Sequence, residues 1–148
     1  MNGGIFCHMD IIEFFDHIIP LSFILNIPIY INDDPISMSL CEKYYPQANI
    51  KELSLKESTP QYFVANYDYM VFPSHVEREE EHLLAESKKQ GKKLCIMFCP
   101  HGFSDKTYYW LEYTKKDYVF VYGQNMLDIF DEIGISLDPE RCIMVGNY

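Results

Sequence analysis

The sequence is poor in positive charge. It holds 12 Lys and Arg residues against 22 Asp and Glu residues, and its formal net charge is -10. Nucleic acids and anionic lipid surfaces are bound mainly through Lys and Arg side chains that neutralise phosphates. The charge balance therefore excludes nucleic acid as the main partner.

Long uninterrupted apolar segments and targeting signals are also missing. The most apolar stretch, residues 11–31, is interrupted by four residues: Glu13, Asp16, His17 and Pro20. A membrane span needs about 20 mostly apolar residues, so this stretch predicts a buried helix. Residues 1–10 contain no Lys or Arg, whereas a signal peptide begins with basic residues. We therefore expect neither a transmembrane segment nor a signal peptide.

The cysteines do not have the spacing of a disulfide framework. There are five of them, which is an odd number, and they are scattered along the chain. Such usage fits a reducing compartment better than secretion. The expected location is therefore the cytoplasm.

What the chain does have is the composition of one globular domain. Its 148 residues are 48% hydrophobic and 23% charged, and a chain of this size can bury a core. Short apolar or β-branched segments predict strands near residues 5–7, 27–32, 49–55, 69–72, 94–99, 118–122 and 142–145. Capped or amphipathic segments between them predict helices near residues 10–26, 35–45, 60–67, 77–90, 104–114 and 125–133. Alternating strands and helices imply βαβ crossovers, so the predicted fold class is α/β: a Rossmann-like three-layer domain with a parallel sheet of about six or seven strands.

Ligands of open parallel sheets bind beyond the carboxyl ends of the strands, so the residues that follow each predicted strand are the candidates for function. They are His8, Asp33, Asp34, Ser74, His75, the segment 101–106, the segment 123–125, Gly146 and Asn147.

The strongest cluster follows the fifth predicted strand. His101 could act as a general base, because an imidazole with a pKa near 6.5 can accept a proton from a hydroxyl at neutral pH. Gly102 allows a tight turn, and Ser104, Asp105 and Lys106 stand where the next helix would begin, a place where backbone amides bind anions. These residues predict a site for a substrate phosphate. The alternative is that the histidine only terminates the strand through hydrogen bonds.

Three further residues could contact a substrate at the same edge. His8, after the first strand, could orient a substrate or pair with His101 across the cleft, or it could be purely structural. Gly123 and Asn125 could contact an anion or a hydroxyl group, although Asn is also an ordinary helix cap. No GxGxxG motif is present, so a dinucleotide loses its main support and no cofactor is predicted.

Other chemistry-bearing residues are interpreted as structural, and no metal site is predicted. Cys95 and Cys99 are four residues apart in a predicted strand, too far apart to share one metal ion, and we interpret all five cysteines as buried apolar residues. The acidic run 77–81 with His82 is interpreted as a solvated helix face. The aromatic residues of segment 108–113 could stack on a sugar or a base, but packing on the sheet is favoured.

Taken in order, five segments resemble a known pattern: residues 5–8, 67–74, 100–106, 118–123 and 145–147. The pattern resembles the N-terminal domain of a GT-B fold glycosyltransferase, closest to the CDP-glycerol glycerophosphotransferase-like family, whose members take part in cell envelope polysaccharide biosynthesis. The resemblance covers nearly the whole chain, and its distinctive parts are the His-Gly turn and the final Val-Gly-Asn.

The resemblance implies a function. In that family two Rossmann-like domains face each other, with the hydroxyl acceptor on the N-terminal domain and most of the nucleotide-linked donor on the C-terminal one. The histidine that matches His101 would act as the base toward the acceptor. This chain would be the N-terminal half and would be inactive alone, and other parts of the full protein could place it at the inner face of the membrane. Phe103 and Ser104 stand where Thr and Pro tend to follow the glycine in the family, which leaves the glycerol phosphate substrate open.

Two other classes are considered. The small size and acidic surface also suit a non-catalytic binding or regulatory module with a flavodoxin-like fold. A small hydrolase has less support, because the sequence has neither a GxSxG elbow nor a Cys-His pairing in a recognisable context.

Overall fold

In the part of the chain that the structure describes, seven strands form a single parallel sheet. The structure, a computed structural model, describes residues 1–7, 15–32, 35–73, 77–100 and 113–146. Its strands are β1 Gly3–Cys7, β2 Ile29–Asn32, β3 Ile50–Leu53, β4 Tyr69–Phe72, β5 Cys95–Phe98, β6 Tyr118–Val121 and β7 Cys142–Met144. All neighbouring strands run parallel. The predicted α/β fold with a parallel sheet is confirmed.

Helices connect the strands. Within the described residues they are α1 Phe15–Leu25, α2 Pro35–Tyr44, α3 Pro60–Asn66, α4 Glu77–Gln90 and α5 Gln124–Glu132, with a short 3-10 helix at Pro139–Arg141. Among these described helices, none combines the length and the apolar character that crossing a lipid bilayer requires. Residues 104–112 of the helix predicted near residues 104–114, and the first five residues of the one predicted at 10–26, lie outside the described residues.

The strand order shows how the chain is wound. The order across the sheet is β3-β2-β1-β4-β5-β6-β7, so the chain moves outward from β1 to β3, returns to place β4 beside β1, and then moves outward to β7. This is the doubly wound Rossmann order. A flavodoxin-like sheet has the order 2-1-3-4-5, with the third strand beside the first. The flavodoxin-like topology expected for the binding module is therefore wrong for this chain, because β3 lies at the far edge of the sheet.

Helices cover both faces of the sheet, which makes three layers. On one face, α1 and α2 pack over β1 and β2 with a core that includes Phe15, Ile18 and Ile5. On the other face, α3 and α4 cover a cluster around Phe6, and α5 covers a cluster around Val121 with the last two strands. The central strand β1 is buried along its whole length, as expected of a parallel strand with helices on both sides.

Two adjacent glycines let β1 fit tightly between its neighbours. A Cβ atom added to Gly4 would lie 2.4 Å from the carbonyl oxygen of Pro28 and 2.8 Å from the ring of Tyr30. At Gly3 the same atom would lie 2.3 Å from the carbonyl oxygen of Tyr69. These positions leave no room for a side chain at the centre of the sheet.

Helix boundaries follow the signals in the sequence. Thr59 caps α3 by accepting a hydrogen bond from the backbone N–H of Tyr62, and Pro60 occupies the first turn, as predicted. Gly91 follows α4 with φ of 64°, a left-handed conformation that favours glycine. Local turn chemistry therefore fixes where these helices begin and end.

Candidate functional site

The candidate site lies at the carboxyl edge of the sheet, where β1 and β4 end side by side. The winding of the chain reverses between these two strands, and doubly wound sheets bind ligands in the crevice that this reversal opens. The described residues at this point are Cys7, Phe72 and Pro73, and all three are buried. The described floor of the crevice is thus apolar and closed.

Two buried thiols, that of Cys7 in this floor and that of the nearby Cys41, are held in the neutral form. Burial, with a contribution from the nearby Cys41, raises the pKa of Cys7 to about 12. Burial likewise raises the pKa of Cys41 to about 11. A thiol attacks an electrophile or binds a metal ion as the thiolate, so neither residue suits these roles at neutral pH.

The interpretation of the cysteines as buried residues is correct for three of the five. Cys7, Cys41 and Cys99 are buried, whereas Cys95 and Cys142 are half-buried. The prediction was wrong for the last two because they begin β5 and the edge strand β7, where less of the protein covers the sheet.

The backbone that leads out of β5 is fixed on two sides. The Tyr122 hydroxyl, just after β6, donates a hydrogen bond to the carbonyl oxygen of Pro100 at 2.5 Å. The N–H of Cys99 donates to the carbonyl oxygen of Phe72 in β4 at 2.9 Å. The segment from Cys99 to Pro100, directly before His101, is therefore fixed by hydrogen bonds to both neighbouring strands.

Gly123 and Asn125 lie at the carboxyl edge, as the sequence predicts. Gly123 is the N-cap of α5 with an extended backbone, and no side-chain cap forms a hydrogen bond there. Its carbonyl accepts from the N–H of Met126 at 3.1 Å, and a Cβ atom at this position would meet nothing within 4 Å. Asn125 is exposed in the first turn. Both are accessible to a ligand beside Tyr122.

The other substrate-site residues predicted from the sequence lie outside the described residues: His8, His101, Gly102, Ser104, Asp105 and Lys106. The same holds for the candidates Asp33, Asp34, Ser74, His75 and Asn147, whereas Gly146 is described and exposed after β7. The strands before them are described, and β1 and β5 are separated by β4. The ends of β1 and β5 are therefore two strand spacings apart, which is roughly 10 Å. The predicted pairing of His8 with His101 would have to cross the end of β4.

The aromatic segment before β6 is described only at its last residue. The ring of Tyr113 packs edge-on against Phe98, with 4.9 Å between the ring centroids, and also contacts Phe130 in α5. Burial raises the pKa of its phenol. Packing on the sheet, the favoured interpretation, is confirmed for Tyr113.

A buried ion pair was missed by the sequence analysis. Glu80 in α4 pairs with Lys116, which lies just before β6, and the two side chains are 10% and 3% exposed. The prediction of a fully solvated acidic face on α4 was therefore wrong at this position. The sequence held a signal for this burial. Leu83 is an apolar residue three positions after Glu80, residues three apart share a helix face, and Leu83 is buried in the structure.

The sequence analysis also missed a groove at the opposite, amino edge of the sheet. It has a volume of about 410 Å³ and is lined by the residues that precede and begin β5, β6 and β7. They are Lys93, Thr114, Lys115, Lys116, Asp117, Tyr118, Asp138, Glu140 and Arg141. These residues come from three separate segments, and they converge because parallel strands begin at the same edge.

The strand order and the site at the carboxyl edge of the sheet define the class of this protein. It is a doubly wound, Rossmann-like α/β domain whose candidate site lies where the winding reverses between β1 and β4. Comparison with protein-family models, curated proteins and solved structures finds no match to the chain. The described ranges hold no group of three or more His, Cys, Asp or Glu residues placed to bind a metal ion.

Proposed function

We propose that this chain is the acceptor-side domain of a transferase that moves a sugar or an alditol phosphate from a nucleotide-linked donor to a hydroxyl acceptor. The observation that carries the proposal is the placement of β5 beside β4, next to the point where the winding reverses. Pro100, held by Tyr122, leads from this strand into the His-Gly turn. The resemblance to GT-B glycosyltransferases supplies the reaction class.

In the proposed reaction, His101 accepts the proton of the acceptor hydroxyl while that oxygen attacks the donor and the nucleotide leaves. The backbone amides near Gly102 and Ser104, with the ammonium group of Lys106, bind phosphate. Asp105 is proposed to cap the helix predicted after this turn, and His8 is proposed to contact the substrate.

The nucleotide-linked donor is proposed to bind a second, C-terminal domain, so this chain alone binds acceptor and does not complete the transfer. The proposed location is the cytoplasm, with peripheral attachment at the inner membrane face through other parts of the full protein. The odd number of cysteines, without the spacing of a disulfide framework, supports this location. The proposed process is the synthesis of cell envelope polysaccharide.

The test is a residue-resolved NMR titration of the chain with an alditol phosphate and, separately, with a nucleoside diphosphate. The alditol phosphate should bind more tightly and should shift the amide signals of Gly123 and Asn125. His101→Ala should weaken this binding by about 5- to 10-fold, because one hydrogen bond to the ligand is lost. His82→Ala is the matched control, since His82 is exposed on α4.

Two results would contradict the proposal. Tighter binding of the nucleoside diphosphate would mean that the chain is not the acceptor side. Equal affinity of the His101→Ala and His82→Ala variants would remove His101 from the site. In a protein that carries the second domain, His101→Ala should lower turnover by about 10²- to 10⁴-fold while the fold is kept.

A non-catalytic binding or regulatory module is the second candidate. The observation that favours it is the uncharged character of the described part of the edge, where Cys7, Pro73 and Pro100 are all buried. Such a module would bind its ligand with an affinity that does not depend on His101, so the same titration separates the two candidates.

A further inference from the structure

The groove at the amino edge is richer in basic residues than the acidic chain as a whole. Four of its nine lining residues are Lys or Arg and three are Asp or Glu, whereas the whole chain has 12 basic and 22 acidic residues. The charge of one of the four, Lys116, is paired with Glu80. The groove lies at the end of the sheet opposite to the crevice described above, so the proposed transferase function does not account for it.

Arg141 is fixed in this groove by the backbone. Its Nε donates to the carbonyl oxygen of Asp117 and its Nη2 to that of Thr114, both at 3.2 Å. A guanidinium has five N–H donors, so these two bonds leave three. Within the described part of the chain Arg141 has no carboxylate partner within 4.0 Å. Its charge is therefore positioned by neutral carbonyl groups and is not cancelled by an ion pair.

One carboxylate of the groove wall, that of Asp117, already has partners. One of its oxygens accepts from the N–H of Ile96 at 2.8 Å, and the other lies 3.9 Å from the Nζ of Lys93. The Lys93 side chain is 85% exposed, so this contact is weak and an incoming anion can recruit the ammonium group. Asp117 thus orients the turn before β6 and does not block Arg141.

We infer that this groove binds a phosphate group, either free or carried by a small organic molecule, with Arg141 as the main ligand and Lys93 as the second cation. A guanidinium whose planar fork is held in place forms two parallel hydrogen bonds to a phosphate, and such bonds are short and strong. The volume of about 410 Å³ accommodates a phosphate with a small organic group.

Two acidic side chains on the wall set limits on the ligand. Asp138 caps the 3-10 helix by accepting from the N–H of Glu140 at 3.0 Å, and the side chain of Glu140 is exposed. Both carboxylates repel a large polyanion such as a nucleic acid or a polyphosphate. The groove therefore selects a compact anion with one phosphate.

The test is a titration of the ¹⁵N-labelled chain with inorganic phosphate and, in a second arm, with methyl phosphate, at constant ionic strength. Saturable shifts are expected in the amides of the groove and in the Nε–H signal of Arg141. Tighter binding of methyl phosphate would identify an organic phosphate as the ligand, and tighter binding of inorganic phosphate would identify the free ion.

Variants separate recognition from folding. Arg141→Gln should weaken binding by about 10-fold or more, and Arg141→Lys should fail to restore it, since lysine has no fork. The side chain of Lys93, unlike that of Arg141, is not bonded to a backbone carbonyl within the described residues, so Lys93→Gln removes a charge without disturbing the backbone. It should weaken binding by about 2- to 3-fold. Glu140→Gln should tighten binding by about 2-fold, because it removes a negative charge that repels the phosphate. A variant that only disturbed the fold would not be expected to increase the affinity.

Lys89→Gln is the matched control, because Lys89 is an exposed lysine on α4, and it should leave the affinity unchanged. The inference is overturned if the shifts do not saturate, if sodium chloride alone reproduces them, or if the folded Arg141→Gln chain binds phosphate as the unmodified chain does. Loss of binding in Lys89→Gln equal to that in Lys93→Gln would also overturn it, since only the overall charge would then matter.

Discussion

The hydroxyl of Tyr122 lies 2.5 Å from the carbonyl oxygen of Pro100 and donates a hydrogen bond to it, which joins the ends of β5 and β6. Pro100 is buried, so its carbonyl has little access to water. The bond therefore fixes the backbone just before the proposed catalytic turn.

Tyr122→Phe should lower the free energy of unfolding by about 1 to 2 kcal/mol, because it leaves the buried carbonyl with only a weak donor, the Cys99 thiol at 3.9 Å. Urea denaturation measures the change. Tyr44→Phe is the control, since Tyr44 is 57% exposed, and it should change stability by less than about 0.5 kcal/mol. Equal effects of the two substitutions would mean that the bond contributes nothing to stability.

Breaking the ion pair between Glu80 and Lys116 should have a larger effect. Glu80→Gln or Lys116→Met alone should cost about 3 to 5 kcal/mol, because each removes the opposite charge that faces a buried charged group. The double variant should recover part of this loss, and a double-mutant cycle in urea gives the coupling. Glu79→Gln, on the exposed side of α4, should be nearly neutral. Additive single effects would show that the two charges do not interact.

Gly4→Ala should destabilise the sheet by about 1 to 3 kcal/mol or more, because the added methyl overlaps the carbonyl of Pro28 and the ring of Tyr30. Gly123→Ala is the matched control, since a Cβ there meets nothing within 4 Å and the backbone is extended. Thermal unfolding of both variants measures the difference. A Gly4→Ala chain as stable as Gly123→Ala would contradict the tight packing of β1.

Ionisation of Cys7 should make the free energy of unfolding depend on pH in the alkaline range. Its pKa is raised from 9.0 in the unfolded reference to about 12 in the folded chain, so its contribution is complete below pH 9 and is lost as the pH rises toward 12. In this window Cys7 should reduce the free energy of unfolding by about 1.4 kcal/mol for each pH unit.

The measurement compares urea unfolding of the unmodified chain with that of Cys7→Ala at pH 7 and pH 10. The difference between the two proteins should shrink at the higher pH, because the alanine variant lacks this ionisation. A difference that stays constant would show that the buried thiol does not titrate differently in the two states.

Local signals in the sequence located many elements well. The strand Tyr69–Phe72 and the helix Glu77–Gln90 begin and end where the sequence predicts, because Pro73 closes the strand and Gly91 closes the helix. The seven parallel strands follow from the alternation of strand and helix patterns. The strand order was not available from these patterns, because hydrophobic periodicity shows which face of a strand is buried and not which strand lies beside it.

The candidate site was predictable only in part. Gly123 and Asn125 were found because they follow a clear strand. The sequence did not indicate the groove at the opposite edge, which includes Lys93, Asp117 and Arg141. These residues meet only through the register of β5, β6 and β7, which no local pattern encodes. The role of His101 and the transferase function remain predictions that the titrations above test.

The central position of β1 has a consequence for synthesis on the ribosome. This strand emerges first, yet its second neighbour, β4, ends only at Phe72, and Asn2 is tied to Asp68 by a hydrogen bond across 66 positions of the chain. At about 5 to 20 residues per second, translation leaves one edge of this buried strand unpaired for roughly 3 to 13 seconds. The nascent chain therefore presents an unpaired strand edge, which can pair with another chain, during this interval.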